Sequence, residues 1–269
     1  MASVWSGHLT FGLVSMPVRL HSGARSQGIS FNMLHRTDNA RLKQQYVCQG
    51  CGELVTRDEI VKGFEFRKDE YVVIEPEDIK RIEPESSKVI EILEFVSANL
   101  VDPIFLESSY YIMPEEAGKK PYVLLERALD ATGKLAVAKL SMHNREYTLV
   151  IRPLDGGLAA HTLYYEDEIR KVEGFGLVQS NVSDHEIKQA CMLISALEGI
   201  WEPSKYQDTF QENMKRLIES KLLGEEIATP ELKKKEPVAD LMAAIKQSLE
   251  AIEKKKEEKG KKRKEGKRN

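Results

Sequence analysis

Residues 135–164, LAVAKLSMHNREYTLVIRPLDGGLAAHTLY, decide the fold class. Residues 135–142 and 146–151 are short alternating runs, separated by His143-Asn144-Arg145 as a hairpin turn. Asp155-Gly156-Gly157 then turns the chain into a third run, residues 158–164. Upstream, residues 110–113, 89–96 and 71–74 are similar short apolar runs between Pro, Gly and Asp punctuators. At the start, residues 9–14 and 17–20 read as strands flanking a Ser-Met-Pro bend. Many short strands at this spacing predict a mainly β fold with some α, a barrel or a sandwich. Two helices interrupt the strands, over 76–82 and 121–129. The second has Pro at its start and Gly133 just past its end, the expected asymmetry.

From Ser183 the apolar period changes to 3.6. Ser183 and Glu186 form a capping box, in which hydroxyl and carboxylate satisfy each other's backbone donors. Ile187, Ala190, Cys191, Ile194 and Leu197 follow on one face, and Gly199 ends the helix. Pro203 is expected to open a second helix with Tyr206, Phe210, Met214, Leu217, Ile218 and Leu222 inward and Gly224 as its stop. Residues 225–236, charged and Pro-broken, read as a linker. Residues 237–253 then form an amphipathic helix whose stripe is Val238, Leu241, Met242, Ile245, Leu249 and Ile252. So short a helix is marginal alone and needs a partner surface, either its own core or another protein.

Charge is divided unevenly along the chain. The 269 residues carry a formal −3, but residues 254–269 hold ten Lys or Arg against three Glu. The remaining 253 residues therefore carry 30 basic and 40 acidic side chains, a formal −10. A basic segment without apolar side chains cannot bury surface, so a disordered tail is expected. Its natural partner is a polyanion, nucleic acid first, because counterion release drives such contacts. Lys261, Lys262, Arg263 and Lys264 are its densest stretch. In the body, Arg36, Arg41 and Lys43 bracket a loop, with Arg57 and Lys62 beyond it. Lys139, Arg145 and Arg152 sit on or beside the hairpin of the opening stretch. Side chains so placed suit phosphate contacts without base readout. No apolar run is long enough for a transmembrane helix, and the start lacks the basic-then-apolar order of a signal peptide. A cytoplasmic, nucleoid-associated protein with no membrane partner is expected.

The sharpest local motif is Cys48-Gln49-Gly50-Cys51-Gly52, a knuckle that presents two thiols as to zinc. A structural zinc takes four ligands, and the chain has no second such pair. A degenerate knuckle, a site completed by histidines such as His8, His21 or His35, and a four-thiolate site shared by two copies all remain open. No cofactor is assigned, and Cys48 and Cys51 stay as possible metal ligands only. Catalytic signatures are lacking: there is no His-Glu-x-x-His, no phosphate-binding Gly-rich loop and no Gly-x-Ser-x-Gly. His143, His161 and His185 fall in a turn, a strand and a helix start, in no triad order. A binding protein rather than an enzyme is expected, with no catalytic residues.

The chain resembles bacterial Ku, the DNA-end-binding proteins of non-homologous end joining. The resemblance rests on Val4-Trp5-Ser6-Gly7-His8-Leu9-Thr10-Phe11-Gly12-Leu13-Val14 with Pro17-Val18, and on Val47-Cys48-Gln49-Gly50-Cys51-Gly52. It continues through Ile60-Val61-Lys62-Gly63-Phe64-Glu65, Ile90-Glu91-Ile92-Leu93-Glu94-Phe95-Val96 and Asp102-Pro103-Ile104 with Tyr110-Tyr111. Arg152-Pro153, Leu163-Tyr164-Tyr165-Glu166-Asp167-Glu168 and Val238-Ala239-Asp240-Leu241-Met242-Ala243-Ala244 complete it. It implies a Ku-type β-barrel core over 1–182 with a DNA-encircling bridge at about 31–66, and a helical dimerisation arm over 183–224. It also implies a homodimeric ring threaded by a duplex end, recruiting the ATP-dependent DNA ligase of end joining through 237–253. The alternative is a zinc-knuckle nucleic-acid-binding regulator without ring closure. A lyase acting through a Lys amine is a further rival, for which no Lys can be singled out.

Overall fold

The computed structural model describes residues 2–25, 27–82, 88–142, 145–172, 182–224 and 244–251. Among the described residues the strands are β1 (Trp5–Phe11), β2 (Val14–Ser22), β3 (Tyr46–Val47), β4 (Leu54–Val55), β5 (Lys62–Arg67), β6 (Glu70–Ile74), β7 (Val89–Ser97), β8 (Leu106–Pro114), β9 (Lys134–Met142), β10 (Arg145–Leu154) and β11 (Gly157–Leu163). The helices among the described residues are α1 (Pro76–Ile82), α2 (Lys119–Thr132), α3 (Asp184–Leu197) and α4 (Thr209–Leu223), and residues 244–251 are helical as well. Two compact units result, Met1–Lys171 and Val172–Asn269.

Seven strands of the first unit close into a barrel in the order β1-β2-β8-β11-β10-β9-β7. Every pair is antiparallel except β1 with β7, which closes the barrel in parallel register from His8↔Val89 to Thr10↔Glu91. Closure leaves the barrel without a free edge. Leu149 and Ile151 of β10 and Ala136, Ala138 and Leu140 of β9 fill the interior, so the alternation of residues 135–151 is the core pattern itself. Leu9, Met16, Val18, Leu20, Ile90, Ile112, Leu158 and Ala160 complete it from the other strands.

At Gly7 a side chain is excluded: a Cβ there would collide with the Lys88 carbonyl and the Trp5 indole, beside the parallel seam. Helix α2 stoppers one end of the barrel. Its Tyr122, Leu125 and Leu129 are buried in the core. The Tyr122 hydroxyl donates to the Ile112 carbonyl at 2.6 Å and accepts from Leu158 N–H at 2.7 Å. Gly133 ends α2 in the left-handed region, as its place past the helix predicts.

Some boundaries differ from the sequence reading. The first hairpin turns at Gly12-Leu13, between the paired residues Phe11 and Val14, and Ser15, Met16 and Pro17 lie inside β2. Gly12 adopts φ +56°, a turn conformation that suits glycine, whereas Pro17 still accepts a ladder bond at its carbonyl from Glu115 N–H. Pro203 opens only a short 3-10 turn, Pro203–Lys205. The α-helix starts after Asp208, whose carboxylate caps the N–H groups of Phe210 and Gln211. Tyr206 therefore lies before α4, stacked on Trp201 with ring centroids 4.9 Å apart. Helix α3 carries the expected Ser183–Glu186 capping box. The linker 225–236, the tail 254–269 and the turn residues His143 and Asn144 lie outside the described residues.

Candidate nucleic-acid interface

Between His21 and Val89 no described residue is buried, although the segment carries many apolar side chains. It folds as irregular chain and two small hairpins, β3–β4 and β5–β6, outside the barrel ladder. Phe31 and Phe64 are each 67% exposed, and Met33, Tyr46, Leu54, Phe66, Tyr71 and Val73 are exposed with them. An apolar surface of this extent marks an interaction site.

Three of the basic residues singled out from sequence share one tight loop here. Leu34 and Arg41 form an isolated bridge, His35 N–H donates to Ala40 carbonyl, and Asn39 turns at φ +56°. Asp38 fixes the loop by contacting His35 Nδ1 at 3.0 Å and accepting from Ala40 N–H at 2.9 Å. Arg36, Arg41 and Lys43 thus project from one short, internally braced loop. Arg57 stands in a 3-10 turn braced by Thr56 and Glu59, and Lys62 begins β5. All five are exposed, and none joins an ion pair among the described residues. A phosphate could reach each without displacing a carboxylate.

The three barrel residues are held differently. Lys139 pairs with Glu146 across β9–β10 at 2.7 Å, and that hydrogen bond raises its pKa. Arg145 begins β10 instead of capping the turn, and its Nη2 bonds both Glu168 oxygens at 2.6 and 2.7 Å. The Tyr147 and Tyr165 rings lie 5.2 and 5.9 Å from its guanidinium carbon. The Tyr165 backbone N–H, and then the guanidinium, hold the Glu168 carboxyl below its ordinary range. Among the described residues Arg152 has no carboxylate within ion-pair distance; its Nε donates to His161 Nε2 at 3.0 Å. His161 in turn meets Ser109 Oγ through Nδ1 at 2.9 Å. Sequence reasoning placed His161 in a strand and assigned it nothing. The strand register that joins it to Ser109 and Arg152 is a tertiary fact, invisible in any one segment.

The cysteine knuckle forms as its glycines suggest. Cys48 N–H donates to Glu53 carbonyl and Gly52 N–H to Cys48 carbonyl, with Gly52 at φ +76°. Backbone N–H groups of Cys51 and Gly50 bear on the Cys48 thiol and lower its pKa, which favours the thiolate a metal binds. Glu53 Oε2 accepts from Cys51 Sγ at 4.0 Å, but among the described residues no group of three His, Cys, Asp or Glu is arranged to hold a metal ion. The knuckle offers two donors of the four that a structural zinc takes.

The second unit presents helix faces. Neither α3 nor α4 has a buried residue. Ile187, Ile194 and Leu197 on α3, Ile200 and Trp201 in the connection, and Leu222 and Leu223 on α4 are exposed. Residues 244–251 are helical, with Ile245 buried at 9% exposure and Leu249 half-buried. Val238, Leu241 and Met242 of the same stripe lie outside the described residues, as do Lys261, Lys262, Arg263 and Lys264. No described helix is long and apolar enough to cross a membrane.

Comparison with known proteins places this architecture. The Ku70/Ku80 beta-barrel domain family matches residues 10–190. The non-homologous end joining protein Ku of Koribacter versatilis is 54% identical over 93% of this chain and 87% of its own length. Its counterpart in Solibacter usitatus is 45% identical over 98% of both chains. That of Bacillus subtilis is 35% identical over 93% of this chain and 82% of its own.

Proposed function

Because this chain belongs to the Ku family, we propose that two copies close a ring that binds double-stranded DNA ends without sequence specificity in non-homologous end joining. Its work is binding, with no chemical step assigned to any residue. A ring must enclose duplex, hold phosphates without reading bases, and pair with itself. The observation that carries the reading is the apolar surface of the segment from Phe31 to Val73 and of α3 and α4, which one copy leaves exposed. In the proposed dimer, segment 31–66 arches over the duplex and α3 with α4 bind the second copy. Arg36, Arg41, Lys43, Arg57 and Lys62 contact phosphates from the arch, and Lys139, Arg145 and Arg152 from the barrel. Lys261, Lys262, Arg263 and Lys264 add a tethered electrostatic hook. Binding DNA would place the protein on the nucleoid.

The stripe Val238, Leu241, Met242, Ile245 and Leu249 is assigned to docking the ATP-dependent DNA ligase of the pathway. Docking must displace whatever covers Ile245. Sedimentation equilibrium tests the ring's first requirement. The wild-type chain is expected as a dimer, and Ile194→Asp with Leu197→Asp as a folded monomer with sharply weakened end binding. A wild-type monomer that binds ends equally well would contradict the proposal.

A further inference from the structure

The outer wall of the barrel carries a three-residue cluster. Leu149 and Ile151 point into the core, so Arg152 between Ile151 and Pro153 points out. Leu158 and Ala160 point in, so His161 points out, and Ile112 fixes Ser109 outward by the same alternation. Register places Ser109 opposite His161 and Ala159 opposite Arg152, so the three side chains sit on adjoining strands β8, β11 and β10.

A guanidinium only donates, so the Arg152 Nε–H on His161 Nε2 requires a lone pair there. The imidazole proton therefore sits on Nδ1 and is donated to Ser109 Oγ. Ser109, an exposed residue, keeps its own O–H to donate outward. The Arg152 Nε–H, a hydroxyl and an imidazole thus converge, Arg152 Nη1 donates to the Pro153 carbonyl at 3.4 Å, and among the described residues no carboxylate lies within ion-pair distance of Arg152. We propose that Arg152, His161 and Ser109 form one clasp for a DNA backbone phosphodiester, and that His161 takes up a proton from solvent as the phosphate seats. This rests on the DNA-binding reading above.

In the free protein, burial and then the Arg152 charge push the His161 pKa down, which favours the neutral ring. Protonation removes the Nε2 lone pair and turns Arg152 Nε–H away. Nε2–H and the guanidinium then share an anionic acceptor, and its charge offsets their repulsion. Among the described residues the charged or titratable outward positions on the adjoining strands include Arg152 on β10, Glu107 and Tyr111 on β8, and His21 and Arg19 on β2. Glu126 and Asp130 of α2 and Asp155 line one recess together with Arg152. Arg19 is paired with Glu115. Phosphate raises the bound-state pKa above the free-state one. Affinity therefore grows as pH falls through the bound-state pKa and levels off below the free-state pKa.

The test is duplex binding by the full chain from about pH 8 to about pH 6, with calorimetry in buffers of different ionisation enthalpy. Wild type is expected to gain up to about tenfold affinity per pH unit over part of this range, with uptake of a proton per subunit. Gln offers one acceptor and one donor but cannot charge, so His161→Gln should lose that part of the pH dependence and the proton uptake. Should His161→Gln not fold, Ser109→Ala at its exposed position is expected to bind a few-fold more weakly with altered uptake. A wild-type profile retained in His161→Gln, or no proton uptake by wild type, would overturn the clasp. Duplexes with 5′-phosphate and 5′-hydroxyl ends should show equal uptake; uptake only with the former would refute an internal diester. If the wild type binds no duplex at any pH, the DNA-binding reading itself fails.

Discussion

At Gly7 the barrel's parallel seam leaves no room for a methyl group. Gly7→Ala must push apart the Lys88 backbone and the Trp5 ring, an overpacking cost of about 1–3 kcal/mol. The expected outcome is an earlier unfolding transition for the barrel, read by denaturant titration; an unchanged midpoint would contradict the packing account. Tyr122 offers a second test, because its hydroxyl serves two buried backbone groups at once. Tyr122→Phe leaves the Ile112 carbonyl and the Leu158 N–H without that partner, at about 2–4 kcal/mol. Neither role was legible from sequence. Gly7 lies before the first strand read from sequence, residues 9–14, and Tyr122 is only one position of the helix read over 121–129, and each gains its meaning from a chain segment far away. Arg145 shows the same limit: sequence placed it on a turn, and Glu168, twenty-three positions on, decides what it touches.

Elements were more readable, because period and punctuation are local. The hairpins of residues 134–163 follow directly from alternation and Asp155-Gly156-Gly157, and the capping box of α3 from Ser183 and Glu186. Proline misled twice. Pro17 suggested a bend where Gly12 makes the turn, and Pro203 suggested a helix start that Asp208 performs. In both cases a residue able to take positive φ or to cap free N–H groups outweighed the proline. The basic tail is the element whose contribution is read most simply. Removing residues 254–269 should weaken duplex binding and flatten its salt dependence by about 0.9 per lost phosphate contact. An unchanged slope would mean that the tail does not touch DNA. For the stripe of residues 237–253, Leu241→Asp with Ile245→Asp is expected to abolish ligase stimulation while end binding persists. Loss of both together would instead make that helix part of the folded core.

At the scale of the whole molecule, the closed barrel is one of the two architectures that strand spacing predicts, and the family is the one that the quoted sequence blocks resemble. The proposed pairing of two copies would involve a second chain, and in the structure of one chain its mark is apolar side chains left exposed. Phe31, Phe64 and Ile194 are of this kind. The ring is the central claim, and threading tests it most directly. Purified protein should be titrated with a linear duplex, the same duplex with both ends blocked after and before protein is added, and a closed circle. The account predicts tight binding to the open duplex, retention when ends are blocked afterwards, and marked loss on the pre-blocked duplex and the circle. Equal affinity for all of them would contradict a threaded ring and leave a groove or tail binder in its place.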